Sequence, residues 1–439
     1  MNKIILVFFV SLFSLTCHAQ KRDLSKLNEY LEKLEEHDKF MGTLVLSHEG
    51  EVVYGKSVGY ADKEAGIKSS LDTKYRIGSI SKMFTSAMIL MAEEEGKLNL
   101  EERLDRYFPK VDKAEDITIS NLLNHRSGIT NFTDDPSYLK WHTEYKSRED
   151  LLGIIESGKS EFSPDSKGKY SNSNYLLLTF ILEDIYEKPY AEILEDKITG
   201  PLALQQTTVF SKINSANNES HSYKFVSDSW KKEAETDASI PLGAGALIST
   251  PNDLVKFIEA LFAGELVSEE SLGKMMEIKD NYGRGMFKFP FEDKSSYGHG
   301  GGIDGFTSML SYFPEENLTL VLTSNGNNYN SNNIALAALS DFFGKPFDMP
   351  RFNQISLTSE DLEKYIGIYE SEQLPLDITI STKNNRLFAQ ATGQQEFGMD
   401  AVDEHEFEFT PASLVMIFSV DENKMMLKQA GKEYTFVKK

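Results

Sequence analysis

Apolar positions along the chain change their period several times, and each change predicts an element. Leu24, Leu27, Leu31 and Leu34 recur three or four residues apart, so residues 23–38 read as an amphipathic helix. Residues 43–47 and 51–58 alternate instead, and Glu49-Gly50 between them is a hairpin signal. From Ser79 to about Glu95, Phe84, Met88 and Met91 describe a second, mostly buried helix. Residues 100–270 read as largely helical, with segments at 117–125 and 151–155 and a long apolar helix over 175–186. Thr250-Pro251-Asn252-Asp253 is a helix start that runs to about Phe262: a hydroxyl N-cap, proline in the first turn and a carboxylate three residues on. Strands return at 283–287, 305–313 and 318–324, the last two joined by Pro314-Glu315-Glu316-Asn317, and 332–343 reads as a closing helix. Strands from both ends of this region with helices between them imply one antiparallel sheet layered with helices, an α+β fold over 20–345.

The pattern then breaks. Pro346 and Pro350 fall in a segment without periodicity, a linker over 346–357. Beyond it a short helix at 358–365 precedes strand-like runs at 377–381, 386–391, 406–410, 414–420, 424–429 and 434–437. Asn384-Asn385, Thr392-Gly393, Asp421-Glu422-Asn423 and Ala430-Gly431 mark the turns. Residues 358–439 therefore read as a separate, small all-β domain of the barrel type.

Composition adds constraints. With 439 residues and 40% hydrophobic content, the chain can bury one large core and a smaller one. Lys3 followed by the apolar run 4–15 has the length of a signal peptide and is short for a bilayer of ~30 Å. Cys17-His18-Ala19 offers small residues for cleavage before Gln20, so 1–19 reads as a signal and the product as periplasmic or secreted. A lipid anchor on Cys17 is the competing reading, and Ser14 and Thr16 fit it poorly. Cys17 is the single cysteine, so the cleaved chain has no disulfide or thiolate chemistry. A net charge of −22 disfavours nucleic acid and anionic membrane as partners. Neither paired histidines at metal spacing nor a phosphate loop or dinucleotide fingerprint is present, so no metal or cofactor is expected.

Candidate chemistry centres on Ser79-Ile80-Ser81-Lys82. A serine hydroxyl needs a base, and Lys82, three residues on along a helix, can reach it. The helix start adds free N–H groups that favour developing negative charge. The spacing alone is unspecific: Ser137/Lys140, Ser166/Lys169, Ser229/Lys232 and Ser271/Lys274 share it. Two other stretches single out the first. Tyr170-Ser171-Asn172 follows the cationic Lys167-Gly168-Lys169; a tyrosine beside cations can relay protons, and an asparagine can orient a lysine and an amide together. The alternatives there are a packing ring and a helix cap. His299-Gly300-Gly301-Gly302 could admit an extended substrate and lend an N–H to an oxyanion hole, or be a glycine-rich turn with an incidental histidine. His125 reads as structural. Trp141, His142 and Tyr145 read as a surface cluster, with a cleft wall as the alternative.

Taken in order, Ser-Ile-Ser-Lys, Tyr-Ser-Asn and His-Gly-Gly resemble the three motifs of the class C-type serine beta-lactamase family, which also includes D,D-peptidases, D-amino-acid peptidases and esterases. Arg76-Ile77-Gly78, the stretch from Leu122 to Gly128 and that from Gly243 to Thr250 agree with it, and the resemblance spans about residues 40–345. It implies that Ser79 is acylated, that Lys82 and Tyr170 handle its proton, that Asn172 orients the substrate, and that the third motif, with Gly301 and Gly302, supplies the substrate strand. The N–H groups of Ser79 and Gly302 would hold the oxyanion. Which of Lys82 and Tyr170 is the base stays open. Lactamases proper usually begin the third motif with lysine, which attracts the substrate carboxylate; His299 is a weaker anchor. The resemblance thus implies an exported serine hydrolase acting on D-amino-acid peptides or related amides. A carboxylesterase and a non-hydrolytic penicillin- or peptidoglycan-binding protein are the alternatives, and small-molecule or peptide substrates are the partners.

Overall fold

Apolar side chains on alternate strand positions and on single helix faces sort this chain into layers. The computed structural model describes residues 23–226, 229–352, 355, 357–429 and 432–439. The segment read as a signal, with Cys17, lies outside them. The helix Ser25–Glu36 buries Leu27, Tyr30, Leu31 and Leu34, the face its spacing predicts. The hairpin Phe40–His48 and Glu51–Val58 turns at Glu49 and Gly50, both with positive φ.

These two strands complete a sheet begun far away in sequence. Its order is Phe287–Phe291, Lys294–Ile303, Phe306–Phe313, Leu318–Asn327, Phe40–His48, Glu51–Val58, every neighbour antiparallel. Leu44 stands opposite Leu322 and Val45 opposite Val321. Leu44, Leu46, Leu320 and Leu322 pack on one face against Ser25–Glu36 and Ser331–Phe342, through Leu27, Leu31, Ile334 and Ala338. Val45, Leu310 and Val321 face the other way, into the core of Ser81–Glu94, Asn172–Tyr186 and Pro251–Phe262. There Phe84 and Phe257 stack with centroids 3.6 Å apart. Thr250 caps the last of these helices by accepting the Asp253 N–H, as its sequence predicts.

Two expectations need correction. Residues 100–270 are not helical throughout: Tyr223–Val226 and Ser229–Lys232 form a hairpin that joins the main sheet through Tyr223, and Leu247–Ser249 pairs with Tyr75–Arg76 and Thr208–Val209. The strand read at 283–287 begins at Phe287, and the ten-residue strand Lys294–Ile303 went unread because its four glycines carry no alternating side chains.

The last eight strands, Gly367–Glu370 through Lys432–Lys438, close into a barrel, with Tyr369 paired to Lys438 at the seam. Ile378, Ile380, Leu387, Ala389, Met416, Phe418, Met425 and Leu427 fill it on alternate positions. Gly367–Glu370 and Phe397–Asp403 went unread; they bury Tyr369 and Met399 respectively. Ser413 ties the barrel to the main domain: its hydroxyl donates to Asn333 Oδ1 (3.0 Å) and accepts from Asn330 Nδ2 (2.9 Å).

Candidate active site

The third strand motif lies against the loop that carries Ser79, and glycines make that possible. Gly78 has φ +50°, and a Cβ on it would come 2.7 Å from Gly302 N; a Cβ on Gly301 would come 2.0 Å from Ile77 O. Only bare backbone fits at either contact. Ser79 sits in the 3-10 turn Gly78–Ile80, one turn before Ser81–Glu94, and the Ser81 hydroxyl ties that turn down by donating to Gly78 O (2.7 Å).

Folding brings the first two motifs together at Ser79. Lys82 Nζ lies 3.0 Å from Ser79 Oγ, and Tyr170 Oη donates to the same oxygen at 2.8 Å. Lys82 also donates to Asn172 Oδ1 (2.8 Å) and to Ala244 O (2.6 Å). Asn172 opens the helix Asn172–Tyr186, and its Nδ2 donates to Thr133 Oγ1 (3.0 Å), which turns its oxygen toward Lys82. The Lys82 side chain is fully buried, and burial holds its amine well below the usual 10.5. A neutral amine has two N–H groups and one lone pair. Asn172 and Ala244 take both N–H groups, so the lone pair is left for Ser79. Tyr170 is shifted the other way: burial raises its phenol above the usual 10, which keeps the proton it donates to Ser79. Of the other Ser/Lys pairs, Lys169 and Lys274 pair with the surface carboxylates Glu161 and Glu93.

His299 departs from its expected place. Its ring is buried; it packs 4.6 Å from Phe287 and 6.2 Å from Tyr170, with Nδ1 against Gly300 O. Burial first, then Lys82, pushes its pKa down to about 3, which disfavours the charge that would attract a substrate carboxylate. Gly301 is likewise held against Ile77, whereas Gly302 is exposed and borders the cleft. His125 is buried beneath Tyr170, ring centroids 4.4 Å apart, and its Nδ1 accepts the Ser171 N–H at 3.2 Å. Its structural reading gains a specific content: it holds the backbone of the second motif.

The cleft over Ser79 has a volume of about 430 Å³. Phe132, Tyr138, Leu139, Pro241 and Ile303 form its apolar wall; Lys224, Glu233 and Asp304 lie in it too. Of the three residues read as a surface cluster, His142 lines the cleft, Trp141 stacks on Phe132, and Tyr145 is exposed away from it. Sequence reasoning missed Ala244, whose contribution is a carbonyl, although the stretch around it was noticed. It also missed the wall residues Lys224, on Tyr223–Val226, and Glu233 and Ala234, just after Ser229–Lys232, the two strands of the hairpin that breaks the helical pattern. Among the described residues no group of His, Cys, Asp and Glu could hold a metal ion.

Comparison with known proteins agrees with this geometry. The chain is 25% identical over 431 residues to penicillin-binding protein 4* of Bacillus subtilis (strain 168), covering 90% of this chain and 94% of that one. It is 26% identical over 309 residues to the teichoic acid D-alanine hydrolase of Staphylococcus aureus, covering 69% and 74%. Among solved structures, the D-amino acid amidase of Ochrobactrum anthropi SV3 complexed with D-phenylalanine superposes with a TM-score of 0.64 at 25% identity, over 73% of this chain and 99% of that one. The family model described as Beta-lactamase matches residues 27–342, and on that extent of match the chain belongs to the beta-lactamase family and is a serine hydrolase.

Proposed function

We propose that Ser79 is the nucleophile of an acyl-transfer reaction on peptides or amides of D-amino acids, and that Lys82 is its base. The observation that carries this reading is the buried amine of Lys82, 3.0 Å from Ser79 Oγ and held in place by Asn172 Oδ1 and Ala244 O. As Oγ bonds to the substrate carbonyl carbon, its proton passes to Lys82 and the carbonyl π pair becomes an oxyanion, held by the N–H groups of Ser79 and Gly302. Tyr170 then gives its proton to the departing nitrogen and regains one from the Lys82 ammonium. Water attacks the acyl-enzyme by the same route in reverse. Asn172 positions Lys82 and the substrate amide.

The substrate class is supported by relatives whose names specify teichoic acid D-alanine and D-amino acid amide. A second reading, carboxylester hydrolysis, draws support from His299: with that ring buried and neutral, nothing at the third motif grips a carboxylate, and an ester needs no such grip. Lys3 and the apolar run after it support action outside the cytoplasm.

A fluorophosphonate probe tests the machinery. We expect covalent labelling of the wild type and none in Ser79→Ala, together with turnover of D-alanyl amides lost in that variant. A folded wild type that takes no label would instead favour a non-hydrolytic binding protein.

A further inference from the structure

The two N–H groups assigned to the oxyanion, those of Ser79 and Gly302, lie on separate segments of the chain. Each segment carries one half of a buried ion pair. Arg76 stands shortly before Ser79, and Asp304 shortly after Gly302. Arg76 Nη1 donates to Asp304 Oδ2 at 3.0 Å, and the two side chains are 1% and 2% exposed. Between the ends of this pair the segments touch: a Cβ on Gly78 would lie 2.7 Å from Gly302 N, and the Ser308 hydroxyl donates to Ile77 O at 2.9 Å.

The strand ladder stops short of Asp304. Lys294–Ile303 pairs with Phe306–Phe313 as far as Ile303 opposite Phe306, and Asp304 lies in the turn beyond, at φ +53°. Side chains hold that turn down. Asp304 accepts from Arg76 and from the Thr236 N–H and hydroxyl, and the Gly305 N–H donates to Ser222 Oγ. Ser222 and Thr236 flank the hairpin of Tyr223–Val226 and Ser229–Lys232, so of these partners Arg76 alone belongs to the segment of Ser79. Arg76 is itself fixed. Its other three Nη protons go to Thr236 O (3.1 Å), Ser211 O (3.1 Å) and Glu235 Oε2 (2.9 Å), and Phe210 lies 4.0 Å from the guanidinium. A planar fork engaged at four acceptors has little freedom to shift.

We propose that Arg76 and Asp304 are a positioning pair that sets the spacing of the two oxyanion N–H groups. This rests on the hydrolase reading above and goes beyond it by naming what aligns Ser79 N with Gly302 N. Losing one partner of a buried pair leaves the other charge uncompensated. Here Glu235 stays on Arg76 when Asp304 is neutralised, so the loss falls on the turn that follows Gly302.

A fluorophosphonate and the corresponding fluorophosphonothioate test the pair through their rates of labelling Ser79. Ser79 Oγ displaces fluoride from either, but the P=O oxygen takes N–H bonds that sulfur accepts weakly. The wild type should therefore label faster with the P=O probe. Asp304→Asn keeps the side-chain shape and a residue type that tolerates positive φ. It should slow P=O labelling by roughly tenfold, less than the ~10²–10³ lost with a whole oxyanion donor, and change P=S labelling far less. Arg76→Lys, which keeps the charge without the fork, should shift the ratio the same way. Glu235→Gln should leave the ratio near that of the wild type. Thermal melts follow stability separately; should Asp304→Asn not fold, the ratio in Arg76→Lys decides alone. Equal slowing of both probes, a wild type indifferent to the sulfur, or a Glu235→Gln shift as large as that of Asp304→Asn overturns the inference and leaves the serine machinery standing. A wild type that takes neither label overturns the hydrolase reading and the inference with it.

Discussion

At the scale of single residues, the site works by opposite shifts on two groups that share one oxygen. Lys82 is pushed toward its neutral form and Tyr170 toward its protonated form, both by burial. Activity then requires Lys82 without its extra proton. Lowering the pH through the depressed pKa of Lys82 should switch the enzyme off, and raising it should restore kcat/KM with a midpoint below the ordinary 10.5. A pH–rate profile on a neutral ester reads this directly; a midpoint at or above the ordinary lysine value contradicts it. Lys82→Ala should lower kcat/KM by about a hundred- to ten-thousand-fold, the range of a lost general base. The side chains of this site were legible because motifs name side chains. Ala244 was not, because any residue offers a carbonyl. The direction of His299 was not, because it depends on the register of a strand whose glycines hide its alternation.

At the scale of elements, the site depends on one strand lying closely against one turn. Gly301 faces Ile77 O, where a methyl group would sit at 2.0 Å, while a methyl on Gly300 would find its nearest neighbour, Ser308 O, at an ordinary 3.7 Å. Gly301→Ala should therefore displace Lys294–Ile303 from Gly78–Ile80, lowering stability by about 1–3 kcal/mol as overpacking does and slowing acylation further. Gly300→Ala should keep most of both. Thermal melts and fluorophosphonate labelling rates check the pair, and equal behaviour of the two variants would refute the argument. Helices were the most legible elements: Ser25–Glu36 and Pro251–Phe262 follow from apolar spacing and a cap. Lys294–Ile303 escaped because glycines stand in place of an alternating set.

At the scale of the whole molecule, the main sheet carries a core on each face and the barrel encloses its own. The cleft is lined wholly from the main domain. A chain ended after residue 352 should accordingly still acylate Ser79, with some loss of stability where Ser413 no longer meets Asn330 and Asn333. Labelling of the shortened chain measures this, and a folded but unreactive product would show that the barrel shapes the site. Both folds were visible as a change from helical period to repeated short alternation. The closure of the barrel was not, since Gly367–Glu370, which makes the seam, and Phe397–Asp403 went unread.

The pairing of Phe40–His48 with Leu318–Asn327 has a temporal meaning. The strand synthesised early sits one place in from the edge strand Glu51–Val58, with its other flank unfilled until a partner made near the end of the domain arrives. Such distant pairing makes folding slow to begin. Until that partner is made, Phe40–His48 has Glu51–Val58 as its one neighbour in the sheet.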